Sequence, residues 1–157
     1  MKRFALIAAT LAFAPFASAG ELAVTYSPDF ATELTETYGE REGAKLEDYI
    51  RNDIEREFSK AGLDLARIDI TILEAKPNRP TMQQVRDTPG LDMFRSVSIG
   101  GMKLQGTAYD ASGNALGDLE YGWFETSLDN VGASTTWTDA SRASDRFARK
   151  FVDELTG

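Results

Sequence analysis

Apolar residues along this chain recur with two different periods, and each change of period marks a new element. From Gly43 to Ala61, Leu46, Ile50, Ile54 and Phe58 return every four residues, with Tyr49 and Ala61 widening the stripe. That spacing predicts an amphipathic helix ending at Gly62, with Glu47–Arg51 and Arg51–Glu55 as i,i+4 pairs on its wet side. A second stripe of Ala140, Ala143, Phe147, Phe151 and Leu155 predicts a helix over about 138–155. Thr138 reads as its N-cap, Asp145–Arg149 and Arg149–Asp153 as outward pairs, and Trp137 as a plug at the core edge. Ser27-Pro28 opens a shorter helix, in which Phe30, Leu34 and Tyr38 share a face before Gly39 stops it.

Elsewhere the period is two. Leu22, Val24 and Tyr26 predict a short first strand. Arg67 to Ala75 predicts another, with Ile68, Ile70 and Ile72 on the buried side and Asp69, Thr71 and Leu73 on the other. Over about 95–126, two alternating runs flank Asp110-Ala111-Ser112-Gly113-Asn114, which predicts a β-hairpin. Its apolar positions are even before the turn (Met102, Leu104, Ala108) and odd after it (Leu119, Tyr121, Trp123). Paired residue numbers must therefore sum to an odd value, because a slip of one residue turns the apolar set to water. A four-residue loop gives Leu104 opposite Leu119; a loop one residue later gives the next odd register. A bulge at Gly100-Gly101 would return Ile99 to the apolar face, while Phe124 falls on the wet face with Asp118 and Glu120 and calls for a covering helix or, failing that, a partner. The order is β-α-α-β-loop-β-β-α. It predicts an α+β fold in which a sheet of about four strands is backed by helices at about 43–61 and 138–155.

The least regular stretch, Lys76 to Phe94, precedes the hairpin. Pro77, Pro80 and Pro89 stiffen it, and Thr81 with Gln84 three residues on is a capping-box signature for one short helix. Structured loops of this length are crossovers or functional elements.

The amino terminus follows a different logic. Lys2-Arg3 is a short basic region, Phe4 to Phe16 is apolar apart from Thr10, and Ala17-Ser18-Ala19 is an A-x-A cleavage site. Residues 1–19 are therefore expected to be a signal peptide, and 20–157 a single α+β domain exported to the periplasm or secreted. The apolar run is shorter than the roughly 20 residues of a membrane span. Lipid attachment at the cleavage point would need a cysteine, and the chain has none, so no membrane anchor is expected after cleavage. Without Lys2 and Arg3, 15 basic residues stand against 25 acidic ones, a net charge of -10 that disfavours nucleic acid.

The composition excludes much chemistry. With no histidine and no cysteine, Ser-His-Asp and Cys-His catalysis and ordinary zinc sites are ruled out. No serine has lysine three residues on, and neither a P-loop nor G-x-G-x-x-G occurs. Asp110, Ser112 and Asn114 begin like a calcium loop, but Ala115 and Tyr121 occupy the positions that need glycine and glutamate, so no metal is expected. No catalytic residue and no cofactor is assigned. Asp87, Asp92, Asp118, Glu120 and Glu125 are the acids from which a glycosidase-like pair would be drawn. For binding, Asn78, Arg79 and Arg95 place cationic and amide groups around the irregular loop of an acidic chain, and arginine can grip a carboxylate or phosphate with two bonds. The same residues could instead tie the loop down through its carbonyls or through Asp87 and Asp92.

Gly100 to Leu116, the strand Tyr121-Gly122-Trp123-Phe124-Glu125, and Thr136 to Ala140 before the Phe147-Ala148-Arg149-Lys150-Phe151 helix carry a resemblance. Over about residues 95–155 the chain resembles bacterial envelope proteins of the domain-of-unknown-function type, similar to the TolB amino-terminal α/β domain. The resemblance implies an envelope accessory role and supplies no catalytic residues. Many such proteins carry a lipid-attachment cysteine that this chain lacks. The sequence thus points to an exported, non-enzymatic protein with a binding or accessory role, its partner being an envelope protein or a small ligand. The alternatives are a carboxylate-dependent hydrolase of envelope glycans, and an inhibitor or chaperone presenting Trp123, Phe124 and Trp137.

Overall fold

In the computed structural model, which describes residues 20–132 and 134–157, four strands form one mixed sheet in chain order. The predicted signal peptide, residues 1–19, lies outside the described residues. Strand β1 (Glu21–Tyr26) runs parallel to β2 (Arg67–Lys76), while β3 (Gly101–Tyr109) and β4 (Ala115–Phe124) continue the sheet antiparallel. A parallel pair needs a long crossover, and here it contains helix α1 (Pro28–Glu33), a π-helical turn (Leu34–Tyr38) and helix α2 (Glu40–Ala61). Helix α3 (Met82–Asp87) interrupts the segment between β2 and β3, and α4 (Thr138–Thr156) closes the chain.

The two amphipathic helices bury the stripes that their periodicity predicts. Leu46, Ile50, Ile54 and Phe58 from α2 meet Ala140, Ala143, Phe147 and Phe151 from α4 over Ile68, Ile70, Ile72, Met102 and Leu104 of the sheet. Gly106 is where α4 comes closest: a Cβ there would lie 2.8 Å from Phe147 Cζ and 3.0 Å from Phe151 Cε1. The other sheet face carries Thr25, Thr71, Gln105 and Glu120 in one row across the strands.

The hairpin takes the later of the two odd registers, with Met102 opposite Trp123 and Leu104 opposite Tyr121. Its turn explains why. Gly113 adopts φ +83°, the Asp110 N–H donates to the Asn114 carbonyl at 3.0 Å, and a bulge between Ala108 and Tyr109 passes over Leu116. A turn followed by a left-handed glycine commonly adds such a bulge, and the extra residue moves the register on. A second irregularity in β2, between Ile72 and Glu74, turns Ala75 into the core beside Met102 and keeps the Glu74 charge out of it.

Several local expectations are corrected. Helix α2 begins at Glu40, three residues before Gly43, because Gly39 at φ +101° breaks the chain direction first. Gly43 lies within the helix, where a Cβ would sit 2.8 Å from Leu34 Cδ2, so the glycine is there for close packing. The helix after Ser27 widens at Leu34, with the Gly39 N–H reaching back to the Leu34 carbonyl at 2.7 Å, yet Phe30, Leu34 and Tyr38 stay buried. Glu47 and Arg51 face β1 instead of each other: Glu47 accepts the Tyr26 hydroxyl, and Arg51 Nη1 donates to the Leu22 carbonyl at 2.7 Å. Thr138 is the first residue of α4 and not its cap; its hydroxyl accepts the Thr135 N–H at 2.8 Å. The strands of the hairpin start at Gly101, leaving Ile99 42% exposed, and Lys76 Nζ lies 5.4 Å from the centroid of the Phe124 ring where a helix was expected.

Candidate functional site

The segment between β2 and β3 is held from below by a buried asparagine. Asn78 is fully enclosed, and all its polar groups are used. Its N–H donates to the Thr136 carbonyl at 2.7 Å, and its carbonyl accepts the Ser98 N–H at 2.9 Å. The side-chain oxygen accepts the Asp139 N–H at 2.8 Å, while the amide nitrogen donates to the Asp139 carboxylate and to the Ser98 carbonyl at 3.3 Å. Asp139, also buried, collects the Gly100 N–H at 3.3 Å and Arg142 Nη1 at 2.9 Å. Asn78, Ser98, Gly100 and the start of α4 are thereby fixed to one another, and the Ser98 hydroxyl adds Pro77 by donating to its carbonyl at 2.6 Å.

Arg79 works one residue further out. Its guanidinium donates to three carbonyls: Ser134 at 2.5 Å, Gly132 at 3.0 Å, and Phe94. Beyond it, Pro80 leads into a complete capping box, in which the Thr81 hydroxyl accepts the Gln84 N–H at 3.3 Å and the Gln84 side chain accepts the Thr81 N–H at 3.0 Å.

The outer end of the segment is a tight turn built on Asp92. One carboxylate oxygen accepts the N–H groups of Phe94 and Arg95, each at 2.8 Å, and the Asp92 N–H donates to the Ser96 hydroxyl at 3.0 Å. This is the aspartate turn its short side chain favours. On that turn the Phe94 ring stands 84% exposed, the most exposed of the large apolar side chains described. Arg95 follows it, exposed, and its guanidinium has no ion pair among the described residues. The structure therefore separates the three residues singled out in the sequence by depth: Asn78 in the interior, Arg79 along the loop, Arg95 at its surface. Phe94 is the residue that sequence reasoning passed over. The D-x-F-x-S pattern of Asp92 to Ser96 is the signal that marks it, an aromatic placed two residues after a turn-forming aspartate.

The acids considered for a catalytic pair are dispersed. Asp87 pairs with Arg86 at 3.1 Å, Asp92 makes the turn, and Glu120 pairs with Lys103 at 2.6 Å on the open sheet face near Asp118. Glu125 accepts the Asn130 amide and the N–H groups of Thr126 and Ser127; these bonds, the Asn130 side chain first, hold its carboxyl below the ordinary glutamate range. Among the described residues no group of three His, Cys, Asp or Glu is placed to hold a metal ion. Trp137 is buried, with its indole N–H donating to Glu42 at 2.7 Å and its ring edge-on to Tyr38. Trp123 is half-buried, with the Arg146 guanidinium 4.4 Å from its ring centroid.

No family model matches the chain, and no curated protein matches it. Among solved structures, a minor lipoprotein from Acinetobacter baumannii is similar at 13% identity and a TM-score of 0.34, over 86% of this chain and 91% of that one. A similarity so distant transfers neither fold nor role. No helix among the described residues is long and apolar enough to cross a membrane.

Proposed function

We propose that this protein is exported to the periplasm, is released there by cleavage before Gly20, and acts by binding another envelope protein through the turn at Asp92–Ser96. Phe94 is the anchor and Arg95 its polar neighbour, while Asn78 and Arg79 position the turn. The observation that carries this reading is the largely exposed Phe94 side chain on a turn fixed from both sides, by the Asp92 carboxylate and by Arg79. A turn whose backbone is already fixed loses little further freedom when a partner closes over it, and aromatic anchors dominate binding energy at protein interfaces. The export half rests on the basic, apolar and A-x-A regions of residues 1–19.

The experiment replaces Phe94 with a photo-crosslinking residue in the full chain and, separately, with alanine. The crosslinker is expected to trap one envelope protein, whose co-purification Phe94→Ala abolishes without changing the melting temperature. If the alanine variant co-purifies with the same protein in the same yield, the turn is not the binding surface. Amino-terminal sequencing of the chain recovered from the periplasmic fraction is expected to begin at Gly20; a chain retaining Lys2 would overturn the cleavage step, and absence from that fraction the export step.

A further inference from the structure

The largest concavity described lies away from the Phe94 turn, between the start of α2 and helix α3, with a volume of about 780 Å³. That is within the usual range for small-molecule sites. Its walls come from two elements far apart in sequence: Arg41 and Lys45 from α2, and Met82, Gln83 and Arg86 from α3, with Tyr38 at the base.

Three observations decide what it could hold. The first is charge. Glu42, the buried acid in the wall, is already satisfied by the Trp137 indole N–H at 2.7 Å and by Lys45 at 2.9 Å. Arg41 has no ion pair among the described residues, and Arg86 pairs only with its exposed neighbour Asp87. With Glu40 on the rim and Asp87 beside Arg86 the local charges balance, so on an acidic chain the groove is distinguished by the Arg41 guanidinium, which has no carboxylate partner among the described residues. The groove between α2 and α4 shows the contrast. It too is rich in charge, but Arg56, Lys60, Arg142 and Arg149 are all paired with carboxylates of the protein itself. The second observation is the apolar wall: Met82 is 65% exposed at the mouth of a groove that guanidinium groups line. The third is that the shape is held. The π-helical turn frees the Thr35 carbonyl, and Gln83 Nε2 of α3 donates to it at 3.0 Å, tying the two walls together. Gly39, at φ +101°, passes beneath, where a Cβ would lie 3.3 Å from Gln83 Oε1. Widened helical turns of this kind recur at functional sites.

We infer that this groove binds a small amphiphile with a phosphate or carboxylate head, the head held between Arg41 and Arg86 and the apolar part lying on Met82. Guanidinium groups suit both head groups because the planar fork donates two parallel hydrogen bonds. The proposal is independent of the Phe94 turn.

Isothermal titration of the full mature chain with octyl phosphate and with decanoate, below their micelle concentrations, tests it. Octyl glucoside serves as the neutral comparison. At least one anionic amphiphile is expected to bind saturably, to lose about tenfold or more in affinity in Arg41→Ala/Arg86→Ala, and to bind Phe94→Ala unchanged. Arg149→Ala, in the paired groove, is expected to bind normally. Both substituted arginines are exposed, so circular dichroism should show folded variants. Absence of saturable binding by either anion, equal affinity in the double variant, or equally tight binding of octyl glucoside overturns the proposal. Inorganic phosphate binding as tightly as octyl phosphate would remove the role given to Met82.

Discussion

A fully buried asparagine is tolerated only when each of its polar groups is bonded, since an unmet buried donor or acceptor is costly to desolvate. Asn78 meets that condition by joining Thr136, Ser98 and Asp139, residues 20 to 61 positions away. Asn78→Ala removes the bonds on its side chain and leaves the Asp139 carboxylate short of a donor, so a loss of about 2–4 kcal/mol is expected in urea unfolding. Asn78→Asp should be worse, because it sets a second carboxylate against Asp139. A stability within experimental error of the parent would refute the role given to Asn78. Trp137→Phe tests the same logic with a smaller change. It keeps the ring in the core but strips Glu42 of the indole donor, and about 1–3 kcal/mol should be lost. From the sequence these side chains read as candidate ligands or as core plugs. Nothing local announces their partners, which the sheet brings in from another part of the chain.

Within single elements the sequence was far more legible, because an element's pattern and its cause lie in the same few residues. The stripes of α2 and α4, the alternation of Ile68, Ile70 and Ile72, the capping box at Thr81 and the odd parity of the hairpin all correspond to what forms. What escaped were the departures from regularity: the π-helical turn, the bulge at Leu73 and the packing glycine at position 43. Each is set by what lies opposite, as Gly43 is by Tyr26 and Leu34. The hairpin turn offers a pH test at this scale. The Asn114 side chain, then backbone N–H groups, hold the Asp110 carboxyl below its ordinary range. A depressed folded value means the contribution is complete above the unfolded carboxylate range and is lost as pH falls through the folded value. The amide signals of Ser112 and Asn114, whose N–H groups bond Asp110 at 2.8 and 2.9 Å, should titrate below the ordinary aspartate range. Asp110→Asn should abolish that titration. A midpoint at or above the ordinary value would contradict the bonding seen in the turn.

At the scale of the whole molecule, the helices and the sheet share one set of contacts. Phe151 joins all three layers of contact: it packs edge-on to Phe58 of α2 at 5.7 Å between ring centroids, lies tilted against Phe147 at 5.4 Å, and fills the space above Gly106 of β3. Removing its ring therefore loosens α2, α4 and the sheet together, with no element able to keep its own core. Phe151→Ala is expected to cost about 3–5 kcal/mol, against a total of about 5–15 kcal/mol for a protein of this size. Gly106→Ala strikes the same point from the opposite side, pushing a methyl group into both rings, and about 1–3 kcal/mol should follow. In either variant, made in a Trp123→Phe background so that Trp137 is the single tryptophan, Trp137 fluorescence and far-ultraviolet circular dichroism should report the same urea midpoint. Trp137 lies at the far end of α4 from Phe151, near Tyr38 and Glu42, so coincident midpoints mean that the two ends of the core fail as one. Separate transitions would show that the region around Trp137 and Asn78, which carries the Phe94 turn, holds its structure without the Phe151 end. The binding surface would then be expected to outlast the unfolding of the Phe151 end in urea; with a single transition it should be lost at the same midpoint as the rest of the fold.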